Sequence, residues 1–305
     1  MYNTDLTKFT GVHVAMNSCY DPAGRINPDA VCQLTEYLIQ RGVQGVYVGG
    51  STGEGLLQTV AERKLVLEHV AAQSGGRFTI IAHIGAMNTE DSMELARHAE
   101  SLGVDAISSV PPFYYGYSES AVKHYWTSIM DSCSLPFIIY HIPGATGFQL
   151  TTPFLKTMLE HPRLAGAKVT SFSSYELQQI KATGGENFVV FNGPDQQYLA
   201  GRSMGADGGI GSTYGMMPEL FLKIEACYVR GNMAEAQRWQ AKVNEIITDV
   251  RALGLFGSIK EMIKLRGVDC GEPRRPLEPV KSGQYAELQR VYEKMMGFIE
   301  EAQPE

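Results

Sequence analysis

The stretch Leu164-Ala165-Gly166-Ala167-Lys168-Val169-Thr170-Ser171 sets the reading of the whole chain. Leu164, Ala165, Ala167 and Val169 are apolar and Gly166 permits close packing, so the stretch reads as a short buried strand. Lys168 stands in its middle. An ammonium group is costly to bury, so a lysine inside an apolar strand needs a reason. It can snorkel out of one end or pair with an acid. Alternatively, burial lowers its pKa and leaves a neutral amine able to attack a carbonyl and form a Schiff base.

Similar short apolar runs recur on both sides of this one, at Val12–Met16, Gly45–Val48, Phe78–His83, Ala106–Val110, Phe137–His141, Phe188–Phe191 and Gly208–Gly211. Helix-start signals fall between them. Asn27 precedes Pro28, Thr59 and Glu62 form a capping box, Asn88 to Asp91 opens a further helix, and Thr152-Pro153 repeats the cap-plus-proline pattern. Alternating strand and helix units imply an α/β fold, a (β/α)8 TIM barrel with a C-terminal helical extension. An open doubly wound sheet would show a glycine fingerprint after its first strand, where this chain reads Met16-Asn17-Ser18-Cys19-Tyr20. We expect residues 1–215 to hold the barrel strands and core. Residues 216–305 should hold the last barrel helix and the extension, packed beside the barrel or against another subunit.

Composition narrows the function. The net charge of −7 argues against nucleic acid or an anionic membrane surface as partner. The first residues, MYNTDLTKFTGV, lack the basic and apolar segments of a signal peptide, and no long apolar run predicts a membrane span. Five scattered cysteines without a CxxC pair suit reduced thiols in a cytoplasm. The seven histidines form no HxH or HExxH pattern, so no metal or other cofactor is expected.

In such a barrel the chemistry gathers at the C-terminal ends of the strands. The second strand runs into Gly49-Gly50-Ser51-Thr52-Gly53-Glu54, whose N–H groups and hydroxyls suit a carboxylate or phosphate, or simply a glycine-rich turn. Lacking GxxxxGK[ST], it is no nucleotide P-loop. The fourth leads into Pro111-Pro112-Phe113-Tyr114-Tyr115, a stiff aromatic loop suited to a subunit interface or to delivering a hydroxyl. The fifth ends in Tyr140-His141; alternation sends one inward and the other to the helices. A buried tyrosine near a lysine can shuttle protons, whereas a lone histidine is more often structural. Thr170, Asp195, Gln196 and Ser212 end the last three strands as a rim of donors and acceptors suited to a polyhydroxylated ligand.

Four of these motifs, in order, resemble the N-acetylneuraminate lyase and dihydrodipicolinate synthase superfamily: Gly49 to Glu54, Pro112 to Tyr115, Tyr140 to Pro143, and Gly166 to Thr170. The resemblance spans Gly11 to about Pro279. It implies a class I, Schiff-base aldolase, with a small-molecule substrate and a homotetrameric assembly. Ser51 beside Thr52, the absence of an arginine in Gly144 to Gly147, and Thr170 two residues after Lys168 are similar to the lyase branch. That branch cleaves sialic acid to pyruvate and N-acetylmannosamine. By resemblance Lys168 is the nucleophile, Tyr140 moves the proton and Tyr114 supports Tyr140, reaching from a neighbouring subunit. Ser51 and Thr52 would hold the carboxylate. Thr170, Gly193, Asp195, Gln196, Gly211 and Ser212 would read the sugar, with Phe256 covering the pocket. Gln196 departs from the branch pattern, which has an acid there, and His141 stands where asparagine is common. Two alternatives stay open: an aldolase for a 2-keto-3-deoxy sugar acid, and a non-catalytic sugar-binding relative.

Overall fold

The structure, a computed structural model, describes residues 6–303, so the start of the N-terminal stretch read for a leader lies outside the described residues. Eight parallel strands close into a barrel in chain order. They are β1 Gly11–Ala15, β2 Gly45–Val48, β3 Thr79–His83, β4 Ala106–Ser109, β5 Phe137–His141, β6 Leu164–Val169, β7 Val189–Asn192 and β8 Gly208–Gly211. Each lies within two residues of an expected run. The helices are α1 Pro28–Gln40, α2 Val60–Ser74, α3 Thr89–Ser101, α4 Glu119–Asp131, the single turn α5 Pro143–Thr146, α6 Thr152–Met158, α7 Ser174–Gly184, α8 Tyr198–Ser203, α9 Pro218–Val229, α10 Met233–Leu253, α11 Leu255–Leu265 and α12 Tyr285–Ala302.

The caps follow the local chemistry. Asn27 Oδ1 accepts the Ala30 N–H, and Pro28 opens α1 where no N–H is needed. Thr59 and Glu62 close a full capping box on α2. One expected cap shifts: Thr151, not Thr152, accepts the Phe154 N–H and caps α6, leaving Pro153 inside the first turn.

Alternation along the strands makes two apolar layers. The larger lies between strands and helices and contains Trp126, Trp239 and Phe221. Each such side chain contributes roughly 1.5–3 kcal/mol by leaving water. The smaller fills the barrel, with Tyr47, Ile81, Ile138, Tyr140, Phe191 and Ile210 facing inward. Phe9, just before β1, belongs to this inner layer and so closes its N-terminal end.

The C-terminal extension does more than flank the barrel. Gln240 and Asn244 of α10 reach the backbone after β7: Gln240 Nε2 donates to Asp195 O at 3.2 Å and Asn244 Nδ2 to Gln196 O at 3.0 Å. Lys260 of α11 and Arg274 beyond it reach the loop after β2. The mouth is therefore assembled partly from residues that follow the last strand.

Candidate active site

Register decides which side chains meet. Tyr140 of β5 is paired with Lys168 of β6, and Lys168 with Phe191 of β7. Lys168 is only 4% exposed. Its Nζ lies 4.2 Å from the ring centroid of Tyr140 and 4.5 Å from that of Tyr47. Among the described residues it makes no ion pair and no hydrogen bond. The acid partner that a structural buried lysine needs is therefore absent. The Tyr140 hydroxyl lies 3.5 Å from Ser51 Oγ. The Tyr47 hydroxyl donates to Ser108 Oγ at 2.9 Å, which locks that ring against the lysine.

Because Tyr140 faces inward, His141 faces out. Its Nε2 lies 2.9 Å from Glu176 Oε1 on α7, and burial pushes its pKa below the usual histidine range. It is a bracket between strand and helix, away from the lysine.

The loop after β2 turns sharply. Gly49 has φ +75°, and a Cβ on Gly55 would meet the Gly49 carbonyl oxygen at 1.9 Å, so the chain folds back on itself only without side chains there. The N–H groups of Ser51 and Thr52 have no protein acceptor among the described residues. They and the two hydroxyls form an open set of anion donors beside Tyr140. Glu54 anchors the loop from behind. It adopts φ +55° and is buried, accepting the Arg274 N–H at 2.6 Å and pairing with Lys260 Nζ at 2.7 Å.

The rim expected from the last strands is partly committed to holding itself together. Asp195 accepts from Ser212 N at 3.2 Å, Thr213 N at 2.7 Å and Thr213 Oγ1 at 2.6 Å. Burial raises its pKa, against those donors and the charge of Lys168. Gly193 and Gly211 are sterically required: a Cβ would meet Thr170 Oγ1 at 2.0 Å in the first case and Tyr214 Cε1 at 2.1 Å in the second. Thr170 Oγ1 is buried without a partner, while the side chains of Gln196 and Ser212 are unpartnered among the described residues.

Two expected residues stand apart. Tyr114 is 85% exposed, at φ +86°, stacked edge-on against Tyr115 at 5.0 Å, and its hydroxyl has no partner among the described residues. Phe256, half-buried on the first turn of α11, makes no ring contact among the described residues.

Three further groups at the mouth lie outside the motifs of the sequence. His83, the last residue of β3, sits with its ring centroid 6.0 Å from that of Tyr140 and 5.9 Å from that of Tyr47. Arg63 of α2 is buried beside it, held by carbonyls, and desolvation lowers its pKa to about 10. Tyr47 is the second ring against the lysine. His83 and Tyr47 both lie at inward-facing positions near strand ends, the signal that picked out Tyr140.

An amine free of acid partners, flanked by a phenol and set below an open nest of N–H and O–H donors, suits a carbonyl compound bearing an adjacent carboxylate. Among the described residues no three His, Cys, Asp or Glu side chains converge on one point. Fold and mouth define a class, the (β/α)8 barrels with an inward lysine on the sixth strand. Within it, this chain belongs to the dihydrodipicolinate synthetase family, whose model matches residues 8–295. It is 43% identical over 277 residues to the N-acetylneuraminate lyase of Mediterraneibacter gnavus, covering 90% of this chain and 88% of that protein. It is 36% identical over 294 residues to the N-acetylneuraminate lyase of Rhizobium meliloti, covering 96% of this chain and 97% of that one. The structure superposes on a catalytic lysine mutant of Ruminococcus gnavus sialic acid aldolase with a TM-score of 0.97 at 39% identity, covering 98% of this chain and all of that one.

Proposed function

We propose that this protein is an N-acetylneuraminate lyase, cleaving the open-chain sugar acid to pyruvate and N-acetylmannosamine. The observation that carries the reading is the unpaired Lys168 held between Tyr47 and Tyr140. Its relatives named for the same activity support the substrate. Ser51 and Thr52 receive the substrate carboxylate on N–H and hydroxyl donors. Lys168, as the free amine, adds to the C2 ketone, water leaves, and a protonated imine forms. Tyr140 takes the proton from the C4 hydroxyl as it passes its own phenolic proton to the substrate carboxylate. The C3–C4 bond breaks, its electron pair moves into the imine, and N-acetylmannosamine departs as the aldehyde. The enamine is protonated at C3, and water hydrolyses the imine to pyruvate and free Lys168.

Thr170, Gln196, Ser212 and the backbone at Gly193 and Gly211 face the sugar hydroxyls in this reading. Asp195 sets the geometry of the β8 end and Phe256 covers the pocket. Tyr114, exposed here, belongs to a homotetramer in which it approaches the Tyr140 of a neighbouring subunit. Five cysteines without a disulfide suit the cytoplasm, where we propose the enzyme acts.

The test is pyruvate release from N-acetylneuraminate by the purified protein, with 2-keto-3-deoxygluconate in parallel. Release from the sialic acid supports the lyase. Release from the control alone overturns the substrate while keeping the Lys168 chemistry. Silence on both, with no borohydride-trapped pyruvate, overturns the aldolase.

A further inference from the structure

His83 is buried at 5% exposure and carries no solvent-facing role, yet its ring joins two loops of the mouth. Nδ1 lies 3.1 Å from the carbonyl oxygen of Gly49, the first residue of the carboxylate-binding loop. Nε2 lies 3.4 Å from the N–H of Val110, which leads into the aromatic loop. A carbonyl can only accept and an amide N–H can only donate. These two backbone groups therefore fix one tautomer, with the proton on Nδ1 and the lone pair on Nε2. Arg63 faces the same ring, but its guanidinium can only donate, so its Nη2, 3.4 Å from the protonated Nδ1, makes no hydrogen bond there and instead donates to His83 O at 2.7 Å, while Nη1 donates to Gly85 O at 2.8 Å. A positive charge on the imidazole is disfavoured by its burial and by that neighbour.

We propose that neutral His83 is a positioning residue that sets the carboxylate-binding loop through Gly49 and the aromatic loop through Val110, while its ring edge orients Tyr140. This rests on the proposed aldolase reading of the same site. Its consequence is a division of labour within one ring. The Nδ1 side governs how tightly the keto acid is held, because Gly49 O is the point where the loop begins its reversal. The Nε2 side and the ring itself govern the proton-transfer step, because they bear on Val110 and Tyr140.

Two amide replacements separate the halves. His83→Asn places a donor near the Nδ1 position and omits the far side. His83→Gln places its amide near Nε2 and omits the near side. We expect His83→Gln to raise KM for N-acetylneuraminate about tenfold, the worth of roughly one hydrogen bond. The pyruvate concentration giving half-maximal borohydride trapping on Lys168 should rise in parallel. His83→Asn should stay within about threefold of wild type in both, while its kcat falls. Equal KM in the two variants, or wild-type constants in both, overturns the proposal. The unmodified protein supplies a check that no folding defect can remove: with 15N-labelled histidine at neutral pH, His83 should show a protonated Nδ1 and a bare Nε2. A proton on Nε2, or an imidazolium, overturns it. A wild type that traps pyruvate but leaves N-acetylneuraminate intact defeats the proposed substrate and leaves the His83 test standing.

Discussion

Two lysines are almost fully buried in this molecule, and they live in opposite electrostatic circumstances. Lys260 of α11, 2% exposed, pairs with Glu54 at 2.7 Å and donates to Glu272 O at 3.1 Å, with its Nζ 4.4 Å from the ring centroid of Tyr20. Lys168, 4% exposed, has aromatic faces and, among the described residues, no carboxylate within ion-pair distance. A buried ammonium is tolerable when paired and hydrogen-bonded, and Lys168 is given neither. The pair teaches that burial alone does not mark a reactive lysine. The content of the surrounding shell does. Both shells contain tyrosine rings, so the decisive difference is one carboxylate.

The sharpest way to break this contrast is Lys168→Met. Turnover should fall by at least about a thousandfold and borohydride trapping should vanish, with thermal stability unchanged or raised, since no partner is orphaned. A variant that unfolds would show that Lys168 has a structural bond after all. The mirror experiment is Lys260→Met, which strands the buried Glu54 carboxylate. We expect a loss of roughly 3–5 kcal/mol in urea titration, largely restored by adding Glu54→Gln. If Lys260→Met instead left stability intact and eliminated imine formation, the two lysines would have exchanged roles.

Tyr140→Phe keeps the ring over Lys168 and removes the hydroxyl. Pyruvate trapping should persist while kcat falls by about a hundredfold to a thousandfold, as for loss of a general acid–base group. The smallest effect concerns an unpartnered base elsewhere in the barrel. His13 is fully buried in β1, neither ring nitrogen has a partner in good hydrogen-bond geometry among the described residues, and burial, outweighing the nearby backbone of Gly11 and Lys8, lowers its pKa from 6.5 to about 4. Between pH 6.5 and 4 the unfolded chain binds the proton that the folded chain refuses. Stability should therefore fall as the pH drops through that window, by no more than roughly 3 kcal/mol from this residue. His13→Leu should flatten the slope in urea titrations at pH 4.5 and 7; an unchanged slope would assign the acid sensitivity elsewhere.

The barrel was legible in the sequence because parallel strands buried on both faces leave continuous apolar runs, and capping residues punctuate the helices between them. Lys168, Tyr140 and Ser51 were legible together because each ends or follows a strand. His83 obeys the same rule but stands in none of the four motifs, and its bonds to Gly49 and Val110 join segments far apart in sequence. Gln240 left a fainter trace, a polar residue on the face of α10 that also presents Ala236, Val243 and Ile247 to the core. The bonds of Asp195 to Ser212 and Thr213 could not be read from the sequence at all. A carboxylate just past a strand end is open to a ligand or to its own neighbours, and the contact with Thr213 depends on how β7 and β8 end in space.

The clamp on Glu54 also carries a message about the order of events on the ribosome. Residue 54 receives its hydrogen bond from residue 274, 220 positions later. A nascent chain that has emerged through β8 possesses the eight barrel strands and Lys168, yet Glu54 in the loop after β2 still lacks its bonds from Lys260 and Arg274. The closing stitch is sewn only after the last strand, so a product truncated after β8 would carry Lys168 with the back of that loop unanchored.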